Sequence, residues 1–475
     1  MTLVHRVLHP NPIISLDDHV TRGGGKGLTA AMQMDPAAIV ERVLASGLRG
    51  RGGAGFPVGR KWQTVAQNWS LEYPPAVIVN AAEGEPGTFK DRTILRRNPY
   101  QVVEGALIAA RAVGADLIVF GMKRSFAGEV ERVRAAIEEI EDAGWNDGIP
   151  IEVFEGPDEY LYGEESALLE TIDGRFPFPR VVPTFRRGLR ETPEDAPMAP
   201  ALVNNTESLA NIPRIVARGP DWFRTVGTRE SPGTMVCTVT GRTQRHGVGE
   251  VLMGTLLGDV IEQIGGGPMP GREIKAVMSG VATGIIPGHL LDTPVTYEDL
   301  AAIGSGLGSG AFIVFDDTVD MTAVAAGAAR FLAVESCGQC SPCKLDGENL
   351  AERLLKVAQS EATEHDMGVI RKRIGTVADR SRCYLATQQQ VLLDSLVRHF
   401  PEEFEAHLGN AADPVEPELI AELLDIRGGR AYLDERHRQK QYDWSYNKTD
   451  SGTVPVERFV NAVPPWRHWV PQPTW

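Results

Sequence analysis

A chain of 475 residues exceeds the size at which one hydrophobic core keeps growing, so about three or four domains are expected. Hydrophobic content of 42% with 23% charged residues is that of a globular protein, and no uninterrupted apolar run of ~18 residues offers a membrane span. A formal charge of −15 argues against nucleic-acid binding, and residues 1–10 lack an apolar signal core, so the expected location is cytoplasmic.

Asp35 and Pro36 start a helix whose apolar residues Ile39, Val43 and Leu44 share a face and whose stop is Gly47. A dense glycine loop, Gly50-Arg51-Gly52-Gly53-Ala54-Gly55-Phe56, follows at once. Val77–Val79 reads as a short buried strand running into the polar loop Asn80–Asp91. Strands and helices then alternate: a helix near Val102–Val113, a strand Leu117–Phe120, a helix after Ser125, a strand Ile151–Phe154 and a helix Glu164–Ile172. Such alternation predicts an α/β layer on a mostly parallel sheet.

From Thr234 the character changes. Met235–Val239 alternates as a strand, Leu256–Ile264 reads as a helix ending at Gly265-Gly266-Gly267, and Phe312–Val314 is again β-like. This predicts a small β-rich domain of roughly eighty residues. From Met321 to about Leu408 the pattern is helical, including Glu348–Val357 and Val391–Phe400. The chain closes, from about Gly428, in a tail with several prolines and four tryptophans, Trp444, Trp466, Trp469 and Trp475.

Four of the five cysteines form one pattern, Cys337-x-x-Cys340-x-x-Cys343 with Cys383 further on. Three thiolates spaced by two residues can wrap one face of a cubane, and a distant fourth closes it, the way a [4Fe–4S] cluster is commonly held. Zinc is the rival, although structural zinc sites more often split into two CxxC pairs. Cys237 stands alone on a strand and reads as a small buried hydrophobe.

The glycine loop lets backbone amides approach an anion with no Cβ in the way, and Arg51 and Lys61 lie near enough in sequence to add charge for a phosphate. It matches neither the dinucleotide fingerprint, which follows a strand, nor a P-loop, which needs Gly-Lys-Ser/Thr. A flavin or non-standard nucleotide site fits, and so does a plain turn.

Five segments then occur in a telling order: Ser46–Trp62 around the glycine loop, Asn80-Ala-Ala-Glu-Gly-Glu-Pro-Gly-Thr-Phe-Lys-Asp-Arg92, Gly163-Glu-Glu-Ser-Ala167, Val203-Asn-Asn205 and Glu335–Cys343. In these the chain resembles the flavin- and NADH-binding subunit of respiratory complex I and its relatives in NAD-linked hydrogenases and formate dehydrogenases, over about residues 15 to 410. The resemblance implies a multidomain α/β protein: a Rossmann-like FMN domain, a small β-grasp (soluble-ligand-binding) domain and a C-terminal helical bundle with the iron–sulfur cluster. With the changes of character above, that divides the chain into an N-terminal segment at 1–58, an FMN/NADH-binding domain at 59–233, a β-grasp domain at 234–320, a cluster-binding domain at 321–412 and a partner-binding tail at 413–475.

Carried over by motif, Gly50, Arg51, Gly52, Lys61, Asn80, Tyr160, Gly163, Glu164, Val203, Asn204, Asn205 and Ser208 are expected to hold FMN. Gly53, Phe56, Lys61, Glu83, Glu85, Tyr160, Glu164, Glu165 and Phe185 are expected to line the NAD(H) site, and Cys337, Cys340, Cys343 and Cys383 to hold the [4Fe–4S] cluster. These types suit the roles: Phe56 and Phe185 offer flat faces to adenine, and Glu165 can accept from ribose hydroxyls while repelling a 2′-phosphate. Each also has a plainer reading, Glu164 and Glu165 as acidic residues favoured at a helix start and Phe56 or Tyr160 as core. Hydride transfer to a flavin needs no protein acid or base, so no catalytic residue is expected.

The implied activity is NADH oxidation, with electrons passed through FMN and the cluster to a partner. Three alternatives stay open: a module run in reverse to reduce NAD⁺ in a formate dehydrogenase or hydrogenase complex, a non-catalytic cluster-bearing scaffold, and a zinc-stabilised interaction module. No cysteines remain for further clusters, so the next centre is expected on a thioredoxin-like [2Fe–2S] subunit of a larger complex, any membrane being reached only through partners. The tail is read either as an arm gripping such a partner or as a segment folded on its own chain. Ala82, Gly84, Tyr162, Thr64, Lys344-Leu-Asp-Gly347 and the run Tyr384–Val391 depart from the family pattern and suggest a divergent branch with a different acceptor.

Overall fold

The computed structural model describes residues 3–189 and 199–467. Trp469 and Trp475, named above in the tail, lie outside them. Helix α1 (Pro36–Ser46) starts after Asp35 and ends where Gly47 turns left-handed at φ 72°, as its sequence predicts. The glycine loop leads into α2 (Val58–Gln67). Strands β1 (Ala76–Ala81), β2 (Leu117–Lys123) and β3 (Ile151–Gly156) then alternate with α3 (Pro99–Val113) and α4 (Ala127–Asp142). After α5 (Glu165–Ile172), β4 (Ala201–Asn205) and α6 (Thr206–Arg218) complete the unit.

The four strands form one parallel sheet in the order β3-β2-β1-β4. Every residue of β2 is buried, as expected of a parallel strand covered on both faces. Helices α3 and α6 cross closely at Gly105, where a Cβ would lie 2.1 Å from the Leu209 carbonyl oxygen, so only glycine permits that approach. Residues ahead of the sheet share its core: Ile39, Val43, Leu48 and Trp62 cluster with Val77, Val79 and Ile108.

A second sheet follows, built from β5 (Thr234–Gly241), β6 (Gly247–Leu252), β7 (Ile274–Met278), β8 (Ile286–Pro287) and β9 (Ala311–Asp316), with α7 (Leu257–Gly265) packed on it. Its order is β6-β5-β9-β7-β8, with only β5 and β9 parallel. The helices α8 (Met321–Glu335), α9 (Gly347–Ala358), α10 (Glu364–Thr376) and α11 (Leu385–His399) form a third body around Val324, Leu332, Leu354, Ile370 and Leu392.

Past a hairpin of β10 (Leu423–Arg427) and β11 (Arg430–Leu433), the described tail folds back on its own chain. The buried Trp444 indole donates to the Val334 carbonyl at 2.8 Å. Phe459 stacks on Phe176 with centroids 4.4 Å apart, and the Trp466 indole donates to Arg175. The described tail residues are thus packed on their own chain. No helix among the described residues is long and apolar enough to cross a membrane.

Candidate functional site

In the sheet order β3-β2-β1-β4, the chain steps away from β1 on one side through β2 and returns on the other at β4. The crevice beyond the carboxyl ends of β1 and β4 is therefore the switch point where open α/β sheets bind ligands. The residues expected around FMN meet there. Asn80, at the end of β1, donates through Nδ2 to the Gly163 carbonyl at 2.8 Å. A Cβ on Gly163 would lie 2.9 Å from the Ala82 carbonyl oxygen, so that turn admits no side chain without movement. Asn204 and Asn205 close β4; the buried Trp62 indole holds Asn204 Oδ1 at 2.7 Å, and the Asn205 side chain caps α6. Gly52 lies against Asn205, where an added Cβ would sit 3.1 Å away. Ser208 Oγ accepts from the Arg51 amide at 2.8 Å and ties the glycine loop to α6.

Lys61 Nζ lies 2.6 Å from Glu165 Oε2 and 3.3 Å from the Val203 carbonyl, bringing three expected residues together at a partly open position. Glu164 caps α5, its carboxylate accepting from the Ser166 and Ala167 amides, and burial pushes it above the usual carboxylate range. Gly53 reaches φ 127° and Gly55 φ 63°, backbone that favours glycine. Phe56 is 50% exposed at the loop's tip, and Phe185 lies half-buried against the first core.

Two charged residues point elsewhere. The Arg51 guanidinium, 1% exposed, donates to the Pro232 and Thr234 carbonyls and the Tyr297 hydroxyl, so it stitches the loop to the second sheet. Glu83 accepts from Thr88, the Asp91 amide and Arg92; burial alone would raise it, but Arg92 and Lys90 hold it below its ordinary value. Behind it, Lys90 pairs with Asp91 at 2.8 Å and Glu207 at 3.0 Å, and Asn205 Nδ2 donates to Asp91. This buried, paired network is a floor under the crevice.

Glu85 faces the opposite way. It accepts from the Tyr160 hydroxyl at 2.5 Å and from the Val281 amide at 2.7 Å, and burial pushes it up to about 7. Gln388 of α11 donates to that same hydroxyl at 2.8 Å. All three bodies thus meet at Tyr160 and Glu85.

The four cysteines line one cavity with Leu161, Pro179 and Arg382. Cys337 and Cys340 sit on the loop after α8, Cys343 in a single π turn at Pro342–Asp346, and Cys383 just ahead of α11. π turns mark functional positions in helices, and this one brings Cys343 Sγ to 3.2 Å from Ser336 Oγ and 3.5 Å from Gln389 Nε2. Burial raises the thiols of Cys337 and Cys383 and pushes Cys343 up to about 11, so bare thiolates would be costly there and a bound cation offsets the cost. The buried Gln389 Oε1 has no partner. Among the described residues no three His, Cys, Asp or Glu converge on a single ion. Four thiolates lining one cavity, three of them spaced by two residues, are a donor set suited to a [4Fe–4S] cluster.

Several departures acquire roles. Gln388, Gln389 and Gln390 serve Tyr160, Cys343 and the Ile374 carbonyl in turn. The buried Lys344 donates to the carbonyls of Ala333, Ser336 and Tyr442, fixing the cluster loop and tail together. Tyr162 fills the space over Gly156. Sequence reasoning missed Trp62, Tyr297 and these glutamines; the run of three glutamines just past Cys383 was the available signal.

The family model for the Nuo51 FMN-binding domain matches residues 43–214, and that for the NADH-ubiquinone oxidoreductase-F iron–sulfur binding region matches 323–407. An F-type NADH-quinone oxidoreductase subunit of Rhizobium meliloti (strain 1021) is 34% identical over 405 residues, 83% of this chain and 94% of that protein. The chain belongs to the NADH-quinone oxidoreductase-F family. A second relative, NADP-reducing hydrogenase subunit HndC of Solidesulfovibrio fructosivorans, is 34% identical over 411 residues, 84% of this chain and 82% of that one. The fold is similar to that of an NAD⁺-reducing [NiFe]-hydrogenase solved in its H₂-reduced state, with TM-score 0.75 and 31% identity over 86% of this chain and 68% of that one. The two family matches span the crevice and the cysteine cavity.

Proposed function

We propose that this chain is the NADH-oxidising flavoprotein subunit of a multisubunit redox complex, with FMN in the crevice beyond β1 and β4 and a [4Fe–4S] cluster on Cys337, Cys340, Cys343 and Cys383. When bound, FMN supplies two-electron acceptance from the nicotinamide with one-electron release, and the cluster supplies one-electron carriage. The observation that carries the reading is that residues from four distant segments meet at the sheet's switch point, one hydrogen-bonded path away from the four-cysteine cavity.

The chain's own work is binding, orientation and exclusion of water. The glycine loop offers amides where side chains cannot crowd, Asn80, Asn204 and Asn205 present fixed polar edges, and Lys61 supplies charge with Glu165 beside it. Phe56 and Phe185 supply aromatic faces at the nucleotide's end of the crevice, and Glu85 with Tyr160 closes the other. The first sheet with residues 59–233 is the Rossmann-like unit, 234–320 the β-grasp unit and 321–412 the cluster-bearing bundle, with 1–58 leading in and 413–475 the tail. The protein is cytoplasmic, and a thioredoxin-like [2Fe–2S] subunit is its electron partner. The same residues serve NAD⁺ reduction when the partner's potential is lower.

The test is anaerobic purification of wild type and Cys340→Ser. Wild type should contain FMN and iron, and NADH should bleach its flavin band. The variant should lose the cluster's EPR signal and keep the bleaching. A wild-type preparation with neither flavin nor iron overturns the reading.

A further inference from the structure

The cysteine cavity is closed on most sides. The tail seals one: the Val456 amide donates to the Cys337 carbonyl at 3.0 Å, and Gly338 lies against Val454, where an added Cβ would be 2.5 Å away. Leu161 and Pro179 close another, with Gln339 donating to the Pro179 carbonyl at 2.9 Å. The open side is where Cys340 and Cys383 are only half-buried, beside exposed Ser341 and Arg382. Two large apolar side chains stand free on the turns that carry the cysteines, Leu345 two residues past Cys343 at 59% and Tyr384 next to Cys383 at 58% exposure.

The C-terminal end of α10 abuts the same mouth, because Arg373 and Thr376 both bond the Asp346 carboxylate, next to Leu345. Residues 371–384 carry five basic side chains, Arg371, Lys372, Arg373, Arg380 and Arg382, against one acidic one, Asp379, in a chain of net charge −15. Arg373 is spent on Asp346; Arg371, Lys372, Arg380 and Arg382 are exposed and form no ion pair among the described residues. On the neighbouring turn Glu348 is paired with Lys344. Unpaired positive charge around two exposed apolar residues has the make-up of an interface: an apolar centre for contact, a charged rim for steering.

We infer that the mouth formed by Leu345, Tyr384 and the basic run Arg371–Arg382 is the docking face for an acidic one-electron carrier, a protein that presents carboxylates around its own redox centre. The inference rests on the function proposed above and adds where electrons leave and the charge of what receives them. The balance is simple: each NADH gives two electrons and becomes NAD⁺ with release of one proton, and two carriers are reduced by one electron each. No bond to a carrier forms or breaks.

The holoprotein is tested with two haem proteins of opposite rim charge, cytochrome b5, ringed by carboxylates, and cytochrome c, ringed by lysines. A neutral naphthoquinone serves as the small acceptor. With wild type, NADH-driven reduction of cytochrome b5 should slow steeply as salt rises, and that of cytochrome c should not. In Arg371→Glu/Lys372→Glu, both positions outside the cysteine turns, kcat/KM for cytochrome b5 should fall about tenfold, with naphthoquinone reduction and the cluster's EPR signal unchanged. A salt-insensitive wild-type rate with cytochrome b5 overturns the inference, and so does an unchanged cytochrome b5 rate in a variant that keeps its cluster. If the variant loses its cluster, the wild-type salt series alone decides. A wild type that reduces neither the quinone nor a haem protein with NADH strikes the underlying function instead.

Discussion

Replacing Lys440 by methionine removes the main support of a buried carboxylate. Glu335 is 2% exposed and accepts from Lys440 Nζ at 2.7 and 2.9 Å, with His437 Nε2 at 3.1 Å and the Tyr160 amide at 3.3 Å. Burial alone would raise its pKa, but Lys440 and His437 hold it well below the carboxylate range. Breaking a buried pair by losing one partner costs about 3–5 kcal/mol. Protonation caps the loss: neutralising a carboxyl of ordinary pKa 4.5 at pH 7 costs about 3.4 kcal/mol at ~1.4 kcal/mol per unit. Both routes give about 3 kcal/mol at pH 7, some two orders of magnitude in the opening equilibrium of the tail. The sign with pH follows. In wild type the depressed pKa contributes stability that is present above the ordinary value and lost only as pH falls through the folded one. In the variant the carboxyl is neutral when folded, so the penalty shrinks toward acid, to under about 1 kcal/mol at pH 5. Hydrogen exchange of the Val456 amide, bonded to the Cys337 carbonyl, reads this directly. Protection should fall about a hundredfold at pH 7 and less than tenfold at pH 5, and Glu335→Gln/Lys440→Met should recover much of it. A change of under threefold at pH 7 would refute the latch.

Glu85, pushed up to about 7 by burial, contributes stability that is full below its ordinary value and lost as pH rises through 7. Thermal melts should therefore show wild type losing Tm between pH 5 and 8, equivalent to up to about 3 kcal/mol, relative to Glu85→Gln, in which this slope is gone. Gly163→Ala forces a Cβ to 2.9 Å from the Ala82 carbonyl, so FMN should bind at least about tenfold more weakly in a fluorescence titration, with cluster absorbance retained.

What was legible in the sequence was local. Asp35-Pro36 and Gly47 bound a helix because capping is decided within a few residues, and β1 and β2 stand out because buried parallel strands are short apolar runs between polar loops. The unit of β4 and α6 escaped: the strand ends in two asparagines, and Pro213 interrupts the helical pattern although α6 runs through it. The cysteine spacing announces its chemistry, since three thiolates in seven residues have few other uses. Orientation did not show. Arg51 reads as a phosphate ligand by composition, yet its guanidinium lies between two sheets because carbonyls at Pro232 and Thr234 face it across more than 180 residues of chain. The Glu335–Lys440 latch spans 105 residues and leaves no periodic trace.

The two candidate sites lie on different bodies, and electron transfer between them would fade if those bodies drifted apart. The contacts between the bodies are therefore the informative part of the structure. Glu85, on the loop after β1, is bonded at once to Val281 of the second sheet's loop and to Tyr160; Tyr160 is bonded to Gln388 of α11; and Gln389, one residue on, is bonded to Cys343. Each link is short and at least partly buried, where an unmade hydrogen bond costs more than a made one gains. Tyr160 also packs edge-on against Phe331 of α8, with centroids 5.3 Å apart, so apolar contact backs the polar path. Gln388 and Gln389, in the run that departs from the family pattern, lie on this seam, while Lys344 ties the cluster loop to the tail. Losing either glutamine would remove a bond from the seam, so the joint depends on both.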